Sequence, residues 1–253
     1  MSKTAFNDDE LLRYSRHILL PQIDVDGQLA LANASVLIVG LGGLGAPAAQ
    51  YLAAAGVGKL VLADHDHVEL SNLQRQVIHH QQTIGLLKVE SAARAIQLLN
   101  SHVEVQQIPH VLEEPELSEL VASVDVVLDC TDNFLTRKAI NQACVQHKKP
   151  LVSGAAIRLE GQITTFDFRN PESPCYACLY DVTGGEGETC AQSGVLSPLV
   201  GVIGAIQAVE AIKLIAGFGE LLTGRIQLYD AFQGKWRELK LKRDSHCAVC
   251  ASR

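Results

Sequence analysis

Short apolar runs alternate with longer segments of mixed polarity along most of this chain. An apolar run of strand length, Ser35 to Gly40, is followed by an Ala-rich helical pattern at 44–55 and a second apolar run, Lys59 to Asp64. That order predicts a β-α-β unit with parallel strands. The alternation continues with predicted helices at 86–100, 115–122 and 134–147 and predicted strands at 103–108, 124–129 and 150–153. Such a pattern is typical of a doubly wound, Rossmann-like α/β sheet.

Both ends of the chain depart from this alternation. Asn7 and Asp8 can cap a helix that ends at Pro21, which predicts an N-terminal helical arm over 1–34. The later part is β-rich and irregular, with predicted strands at 162–168, 226–229 and 235–241 and one long helix at 197–217. We therefore expect a mixed sheet in a single domain, 1–253, with a nucleotide-binding core over 35–160 and a partner-binding part over 161–253.

Composition narrows the functional classes. The 253 residues are 47% hydrophobic, enough for one large core, and the net charge of -7 provides no basic surface for nucleic acid. The first ten residues lack the basic start and apolar run of a signal peptide, which predicts a cytoplasmic protein. The most membrane-like stretch, 199–216, carries Gln207, Glu210 and Lys213 on one helical face and so favours a packed or interfacial helix over a membrane span.

A glycine-rich loop, Gly40-Leu41-Gly42-Gly43-Leu44-Gly45, follows the first predicted strand. Gly40, Gly42, Gly43 and Gly45 would let phosphate oxygens approach the backbone and the N-terminus of the next helix. Asp64 ends the second strand roughly 20 residues further on, where a carboxylate can accept hydrogen bonds from ribose hydroxyls. These features fit NAD and ATP equally, and close packing of strand on helix would also explain the glycines.

Charged residues further along favour a triphosphate. Arg75 and Lys88 offer positive charge to phosphates, and Asp132 offers a ligand for Mg²⁺, although no G-x-x-x-x-G-K-[ST] loop occurs. Each has a plainer explanation when taken alone, because Arg75 or Lys88 could be a solvated helix charge and Asp132 a helix N-cap. As a set they favour ATP with Mg²⁺ over a dinucleotide.

Two distant Cys-x-x-Cys pairs predict a metal site. Four thiolates are the usual ligands of closed, structural Zn²⁺, and the pairs are Cys175 with Cys178 and Cys247 with Cys250. Redox-active or metal-free thiols are the alternative. Of the other cysteines, Cys130 and Cys144 are predicted to be buried packing residues, whereas Cys190 follows a Gly/Glu-rich segment and is the candidate reactive thiol.

Three segments resemble a known family. Gly40 to Gly45, Ser71-Asn72-Leu73-Gln74-Arg75 and Asp129-Cys130-Thr131-Asp132-Asn133 are similar to motifs of the E1-like HesA/MoeB/ThiF superfamily. The likeness is closest to its molybdopterin-synthase adenylyltransferase (MoeB) branch and covers nearly the whole chain. It implies ATP-dependent adenylation of the C-terminal Gly-Gly carboxylate of a ubiquitin-fold sulfur carrier, MoaD-like or, in the thiamine-pathway (ThiF) branch, ThiS-like.

The resemblance also implies roles for individual residues. Gly43, Asn72 and Arg75 would contact phosphates, Asp64 the ribose, Lys88 the triphosphate and Asp132 the magnesium, and Ser71, Leu73, Gln74 and Asn133 would complete the nucleotide site. Arg16 would reach into the nucleotide site of a neighbouring subunit, which implies a homodimer. His17 departs from the family pattern, which usually has Gln there.

Adenylation of a carboxylate needs no general base, because the carboxylate is already ionised at pH 7. We therefore expect four histidines to be surface or packing residues, namely His65, His67, His79 and His80. In some relatives a cysteine in the region of Cys190 forms a covalent link to the partner, which MoeB-like members do not require. The sequence to Arg253 lacks the C-terminal rhodanese-like domain of some relatives, so another protein would supply the sulfur.

Two alternatives come from other functional classes. An NAD-dependent oxidoreductase would bind NAD without Mg²⁺, but it leaves Arg75, Lys88 and the four thiolates unexplained. A non-catalytic scaffold would be expected to have lost at least one member of the set Arg16, Arg75, Lys88 and Asp132.

Overall fold

The computed structural model describes residues 3–180 and 193–252. Within them, five parallel strands form one side of an eight-stranded sheet: β1 (Ser35–Val39), β2 (Lys59–Ala63), β3 (Glu104–Ile108), β4 (Val126–Asp129) and β5 (Leu151–Ile157). Their order is β3-β2-β1-β4-β5, as a doubly wound sheet requires. Val39 pairs with Ala63 on one side and with Asp129 on the other. The carboxyl ends of β1, β2 and β4 therefore meet at one edge.

The remaining strands are antiparallel and confirm the predicted mixed sheet: β6 (Glu160–Phe166), β7 (Arg225–Asp230) and β8 (Lys235–Lys240). β5 extends to Ile157, beyond the predicted end at Ser153, because it forms a tight hairpin with β6. Arg158 makes this turn with a positive φ of 52°. The extension carries the sheet past the parallel core, so β6 to β8 lie beside the edge where the loops emerge.

Helices cover both faces of the sheet, and each face has its own apolar core. The helices whose bounds lie within the described residues are α1 (Asp8–Ile18), α2 (Asp24–Asn33), α3 (Gly45–Ala54), α4 (Lys88–Leu99), α5 (Glu114–Ser123), α6 (Phe134–His147), α7 (Tyr176–Leu179) and α8 (Ser197–Ala216). One face is covered by α3, α4 and α8, and the other by α5, α6 and α7. Two short 3₁₀ turns, Leu70–Asn72 and Gln81–Thr83, lie between β2 and α4.

The N-terminal arm contains one helix that the sequence predicts and one that it does not. Asn7 caps α1 as predicted, because its Oδ1 accepts from the Glu10 amide at 3.0 Å while the Glu10 carboxylate accepts from the Asn7 amide at 3.2 Å. The sequence gives no comparable signal for α2, whose N-cap residue, Ile23, provides no side-chain hydrogen bond and which contains Gly27. A Cβ on Gly27 would lie only 3.2 Å from Ile23 Cγ2 and 3.4 Å from the Cβ of Ala216, so a larger residue would crowd the start of α2.

The long apolar helix α8 has the length and hydropathy to cross a membrane, yet its polar groups are bonded inside the protein. Gln207 donates to the carbonyls of Asp129 and Val152 at 2.8 and 3.2 Å, and Glu210 accepts from Thr165 Oγ1 at 2.7 Å. Both side chains are buried. These bonds join α8 to the sheet, so of the two predicted possibilities, a packed or an interfacial helix, the structure shows the packed one.

Candidate nucleotide-binding site

The carboxyl edge of the parallel strands opens into a cavity of about 830 Å³. In a doubly wound sheet, ligands bind where the strand order reverses, and here that point lies between β1 and β4. Most residues predicted for the nucleotide site line this cavity: Gly40, Gly42, Gly43, Asp64, Asn72, Arg75, Lys88, Asp132 and Asn133. The opposite wall is formed by β6, β7 and β8, with Gln162, Tyr229 and Arg237 among its residues.

Several predicted site residues do not line the cavity as far as the structure describes it: Arg16, Gly45, Ser71, Leu73 and Gln74. The Ser71 hydroxyl instead donates to Glu69 at 3.2 Å, and the Gln74 carbonyl accepts from the Ser197 hydroxyl. Arg16 lies in a separate groove of about 500 Å³ between α1, α3 and α8. Cys190, the candidate thiol, falls outside the described residues.

Two glycines of the loop are required for different reasons. A Cβ on Gly45 would lie 1.9 Å from the Gly40 carbonyl oxygen, so close packing excludes every other residue there. A Cβ on Gly42 would meet nothing nearer than the Gln76 side chain at 3.7 Å, an ordinary contact. Packing therefore explains Gly45, whereas Gly42 leaves cavity space next to the backbone that a ligand can occupy.

The carboxylate of Asp64 fixes the start of this loop. Its Oδ2 accepts from the Leu41 amide at 2.7 Å and its Oδ1 accepts from the Asp66 amide at 2.9 Å. Asp64 is half-buried at the end of β2 and faces the cavity. Its predicted contact with a ribose therefore stays a prediction, while its structural contact with the loop is established.

Lys88 is not a solvated helix charge. It is the first residue of α4, only 6% exposed, and its Nζ lies 2.8 Å from Asp66 Oδ2. Burial raises the pKa of the Asp66 carboxyl, but the bond and charge of Lys88 outweigh burial and hold that pKa below its ordinary value. A cation at a helix N-terminus is opposed by the helix dipole. Helix stability therefore does not explain why a buried lysine begins α4. A negatively charged ligand in the cavity would explain it.

Arg75 contributes a second positive charge to the cavity wall. Its guanidinium donates to the Ser71 carbonyl at 3.2 Å, and this bond orients the Arg75 side chain. Among the described residues no carboxylate lies within salt-bridge distance of Arg75. The positive charge of Arg75 is thus held in place without being neutralised. An arginine that binds phosphate needs such a free charge.

The loop after β4 presents one carboxylate and buries another. Asn133, not Asp132, caps α6, because Asn133 Oδ1 accepts from the Thr136 amide at 2.9 Å. The plainer explanation of Asp132 as an N-cap is therefore wrong. Asp132 is exposed, and no described residue makes a hydrogen bond or ion pair with its carboxylate. Asp129 is instead buried, and its oxygens are occupied by hydrogen bonds from its neighbours.

Gln76 and Arg137 are among the polar residues of the cavity wall that the sequence does not predict. Gln76 is buried, and its Oε1 has no hydrogen-bond partner among the described residues, an arrangement that suits a ligand. Arg137, buried in the first turn of α6, donates to Asp129 at 3.2 Å and to the Gly154 carbonyl at 3.0 Å. Only Gln76 has a sequence signal, its position directly after Arg75.

The four cysteines of the two pairs come together as predicted, with all four Sγ atoms within 4.8 Å of one another. The Sγ distances are 3.7 Å for Cys175 to Cys247, 3.9 Å for Cys175 to Cys178 and 3.5 Å for Cys178 to Cys250. Tetrahedral Zn–S bonds of about 2.3 Å place sulfurs about 3.8 Å apart, whereas a disulfide needs about 2.05 Å. The spacing therefore fits a metal rather than disulfides.

The cysteine cluster anchors one wall of the cavity. Helix α7 lies between Cys175 and Tyr180, and the rings of Tyr176 and Tyr180 pack with their centroids 4.7 Å apart. Both tyrosines line the cavity, and the Tyr180 hydroxyl accepts from Gln162 at 2.5 Å. A stable cluster would therefore keep this aromatic wall in place.

The remaining cysteines and histidines agree with their predicted packing and surface roles. Cys130 and Cys144 are buried, and burial raises the pKa of both thiols, so neither is a reactive thiolate. His65, His67 and His80 are exposed, whereas His79 is buried. His65 also lines the cavity, but adenylation of an ionised carboxylate needs no general base from it.

A doubly wound sheet with a glycine loop, two cations and an available carboxylate at its switch point defines a Rossmann-like nucleotide-binding protein. The chain belongs to the ThiF family, which it matches over residues 14–249.

Known relatives agree with this membership. The chain is 52% identical to the molybdopterin-synthase adenylyltransferase of Escherichia coli (strain K12), over 96% of this chain and 98% of that protein. It is 48% identical to the adenylyltransferase and sulfurtransferase MOCS3 of Sus scrofa, over 99% of this chain and 55% of that protein. The solved structure of Escherichia coli MccB with ATP has the same fold, with a TM-score of 0.81 at 24% identity over 97% of this chain and 75% of that one.

Proposed function

We propose that this chain uses ATP to adenylate the C-terminal Gly-Gly carboxylate of a ubiquitin-fold sulfur carrier in molybdenum cofactor biosynthesis, releasing pyrophosphate. The observation that carries the proposal is the shape of the cavity, which joins the glycine loop and its cations to a wall formed by β6, β7 and β8. A nucleotide would occupy the first part, and an extended peptide end without bulky side chains would occupy the second. The 52% identity to a molybdopterin-synthase adenylyltransferase supports a carrier of the MoaD type.

The chemistry requires binding and alignment rather than proton transfer. The attacking carboxylate is ionised at pH 7, so the enzyme must offset its repulsion by the phosphates and hold it in line with the α-phosphorus. Arg75 and Lys88 supply positive charge, and the loop amides before α3 bind phosphate oxygens at a helix N-terminus. The bond from the α-phosphorus to the bridging oxygen breaks as the acyl-phosphate bond forms, and pyrophosphate leaves with that electron pair.

Asp132 would hold Mg²⁺, because its carboxylate faces the cavity and no described residue binds it. When bound, the ion would neutralise charge on the phosphates and favour loss of pyrophosphate. The backbone of this loop is held by Arg137, which donates to the Thr131 carbonyl next to Asp132. The orientation of Asp132 therefore depends on a buried network rather than on its own contacts.

We further propose that the protein is a homodimer in which Arg16 enters the cavity of the partner subunit. Arg16 is exposed in a groove away from its own cavity, beside the exposed apolar side chains of Tyr51 and Val209. A second copy covering this groove would bury that apolar surface. We expect inactive Arg16→Ala and Lys88→Ala proteins to regain activity when mixed, because one site of each mixed dimer then contains both residues. A mixture as inactive as its components would contradict action in the partner's site.

Pyrophosphate exchange tests the activity itself. The protein would be incubated with Mg²⁺, ATP, labelled pyrophosphate and a MoaD-like carrier, with a ThiS-like carrier in parallel and each carrier truncated before Gly-Gly as a control. Exchange that requires the intact MoaD-like carrier is the expected result. Exchange with the ThiS-like carrier alone would assign the protein to the thiamine pathway. Absence of exchange together with NAD binding would favour an oxidoreductase.

We also propose that the cysteine cluster binds structural Zn²⁺. All four thiols are engaged with one another, so no open coordination position remains for a catalytic water. Burial raises the pKa of the Cys175 and Cys250 thiols. At Cys247, burial is outweighed by hydrogen bonds, chiefly from the amides of Val249 and Cys250, which lower the pKa of that thiol below its ordinary value. Such a thiol binds metal as the thiolate more readily.

Replacement of Cys247 by Ser is expected to reduce bound zinc from about one ion per chain to near zero. It should also lower the thermal midpoint, because the loss would release the segment that follows β8. Metal content by mass spectrometry and thermal unfolding would be measured together. The control is Cys144→Ser, a buried cysteine in α6 that is not among the four clustered thiols, which should retain the metal. Full zinc content in Cys247→Ser would refute the site.

A further inference from the structure

Of the histidines in the described part of the chain, only His79 is buried, and both of its ring nitrogens are hydrogen-bonded. Nε2 lies 3.1 Å from the Leu41 carbonyl oxygen, and Nδ1 lies 2.9 Å from Ser91 Oγ. A carbonyl oxygen can only accept, so Nε2 must carry a proton and donate to the loop. His79 does not line the cavity, so it does not touch a ligand there.

This bond completes a clamp on one residue of the glycine loop, Leu41, and so on the two peptide units that meet at it. The Leu41 amide donates to Asp64 at 2.7 Å, and the Leu41 carbonyl accepts from His79. Leu41 precedes Gly42, whose open surface faces the cavity. The two side chains therefore fix both polar groups of the residue next to the point where phosphate oxygens would approach.

The other end of the imidazole is tied to the helix that carries Lys88. Ser91 is one turn after Lys88 in α4, and its hydroxyl lies 2.8 Å from Thr83 Oγ1. The side chain of His79 thus spans the space between the loop and the start of α4. Burial, which outweighs the bond to Leu41, lowers the pKa of His79 and so favours the neutral ring.

We propose that His79 is a positioning residue that holds the phosphate-binding loop at a fixed distance from Lys88. The proposal rests on the ATP site proposed above and names how that site is kept assembled. His79 contributes no group to the reaction. It fixes the distance between the loop amides and the Lys88 ammonium. That distance matters because both groups must contact the same phosphates.

Hydrogen exchange in the nucleotide-free protein tests the contact without relying on ATP. We expect His79→Ala to speed exchange of the Leu41 amide roughly 3- to 10-fold, the effect of losing one hydrogen bond from the loop. His79→Gln should restore slow exchange, because its amide offers both a donor and an acceptor. The control is His147→Gln, which alters another His–Ser pair, with Ser118 at 2.8 Å, in α6 and α5 away from the loop.

Binding measurements test the consequence for the site. We expect His79→Ala to raise the Kd of ATP about tenfold while the Kd of the carrier changes less than about twofold, because only the loop is displaced. General loss of structure would weaken both. Ser91→Ala, a milder change, should raise the Kd of ATP in the same direction and serves if His79→Ala does not fold.

The outcomes separate the inference from the proposed function. Unchanged exchange at Leu41 in both His79→Ala and Ser91→Ala would overturn the positioning role. Faster exchange in a protein whose unaltered form binds no ATP would support the clamp and refute the proposed function. Faster exchange with equal loss of ATP and carrier binding would show a general structural role and overturn the inference.

Discussion

Lys88→Ala is expected to lower kcat/KM for acyl-adenylate formation by about 10²- to 10³-fold, the usual effect of removing one preorganised charge from a reacting centre. The fold should tolerate the change, because the carboxylate it leaves behind, Asp66, is more than half exposed and can be solvated. The free energy of unfolding is therefore expected to change by less than about 1 kcal/mol. Carrier-dependent pyrophosphate exchange and urea unfolding would be measured on the same samples.

Lys59→Ala is the matched control. Lys59 forms an ion pair of 2.9 Å with Glu104, close to the 2.8 Å of Lys88 with Asp66, but it lies at the opposite end of β2 from the cavity. We expect its kcat/KM to remain within about twofold of the unaltered protein. Equal activities for the two variants would show that Lys88 serves only its ion pair.

Arg137→Ala is expected to lower the free energy of unfolding by about 3–5 kcal/mol. Arg137 and Asp129 are both buried and lie 3.2 Å apart, so removing the guanidinium leaves a buried carboxylate without its charge partner. The carbonyls of Thr131 and Gly154 would also lose their donor. Urea unfolding would measure the loss, which should exceed that of every exposed-pair variant tested beside it.

Arg94→Ala provides the comparison. Arg94 pairs with Glu90 one turn earlier on the exposed face of α4, an arrangement that contributes about 0.3–0.5 kcal/mol. A loss of similar size in Arg137→Ala would mean that the buried network is dispensable and that the loop carrying Asp132 holds its conformation by other contacts.

The sequence predicts most of the fold because four strands of the parallel core, β1, β2, β4 and β5, are short and largely buried runs, whereas only the edge strand β3 is polar and mostly not buried. The prediction fails where the pattern is weak. Helix α2 has no capping side chain and contains Gly27, so its stability comes from packing rather than from local signals. The extension of β5 to Ile157 depends on pairing with β6, a tertiary effect that a single strand does not encode.

The candidate site was predictable where motif spacing fixes a residue at a strand end, as for Asp64 and Asp132. The ion pairs around the site could not be predicted from the sequence. Asp66 pairs with Lys88 across 22 positions, and Arg137 binds Asp129 from the facing helix, and neither contact follows from local pattern. The cysteine cluster was predictable because ligand spacing is itself a signal, but its attachment to the tyrosine wall required the structure.

Gly45 and Gly42 make the loop subject to two separate evolutionary constraints. Any side chain at Gly45 collides with the backbone of Gly40, so a descendant protein that loses this glycine loses its fold. A side chain at Gly42 is tolerated by the protein but occupies space next to the loop, so its loss is selected against only while a ligand binds. Gene duplicates released from nucleotide binding should therefore accumulate changes at Gly42 while Gly45 persists, which a comparison of inactive and active family members would reveal.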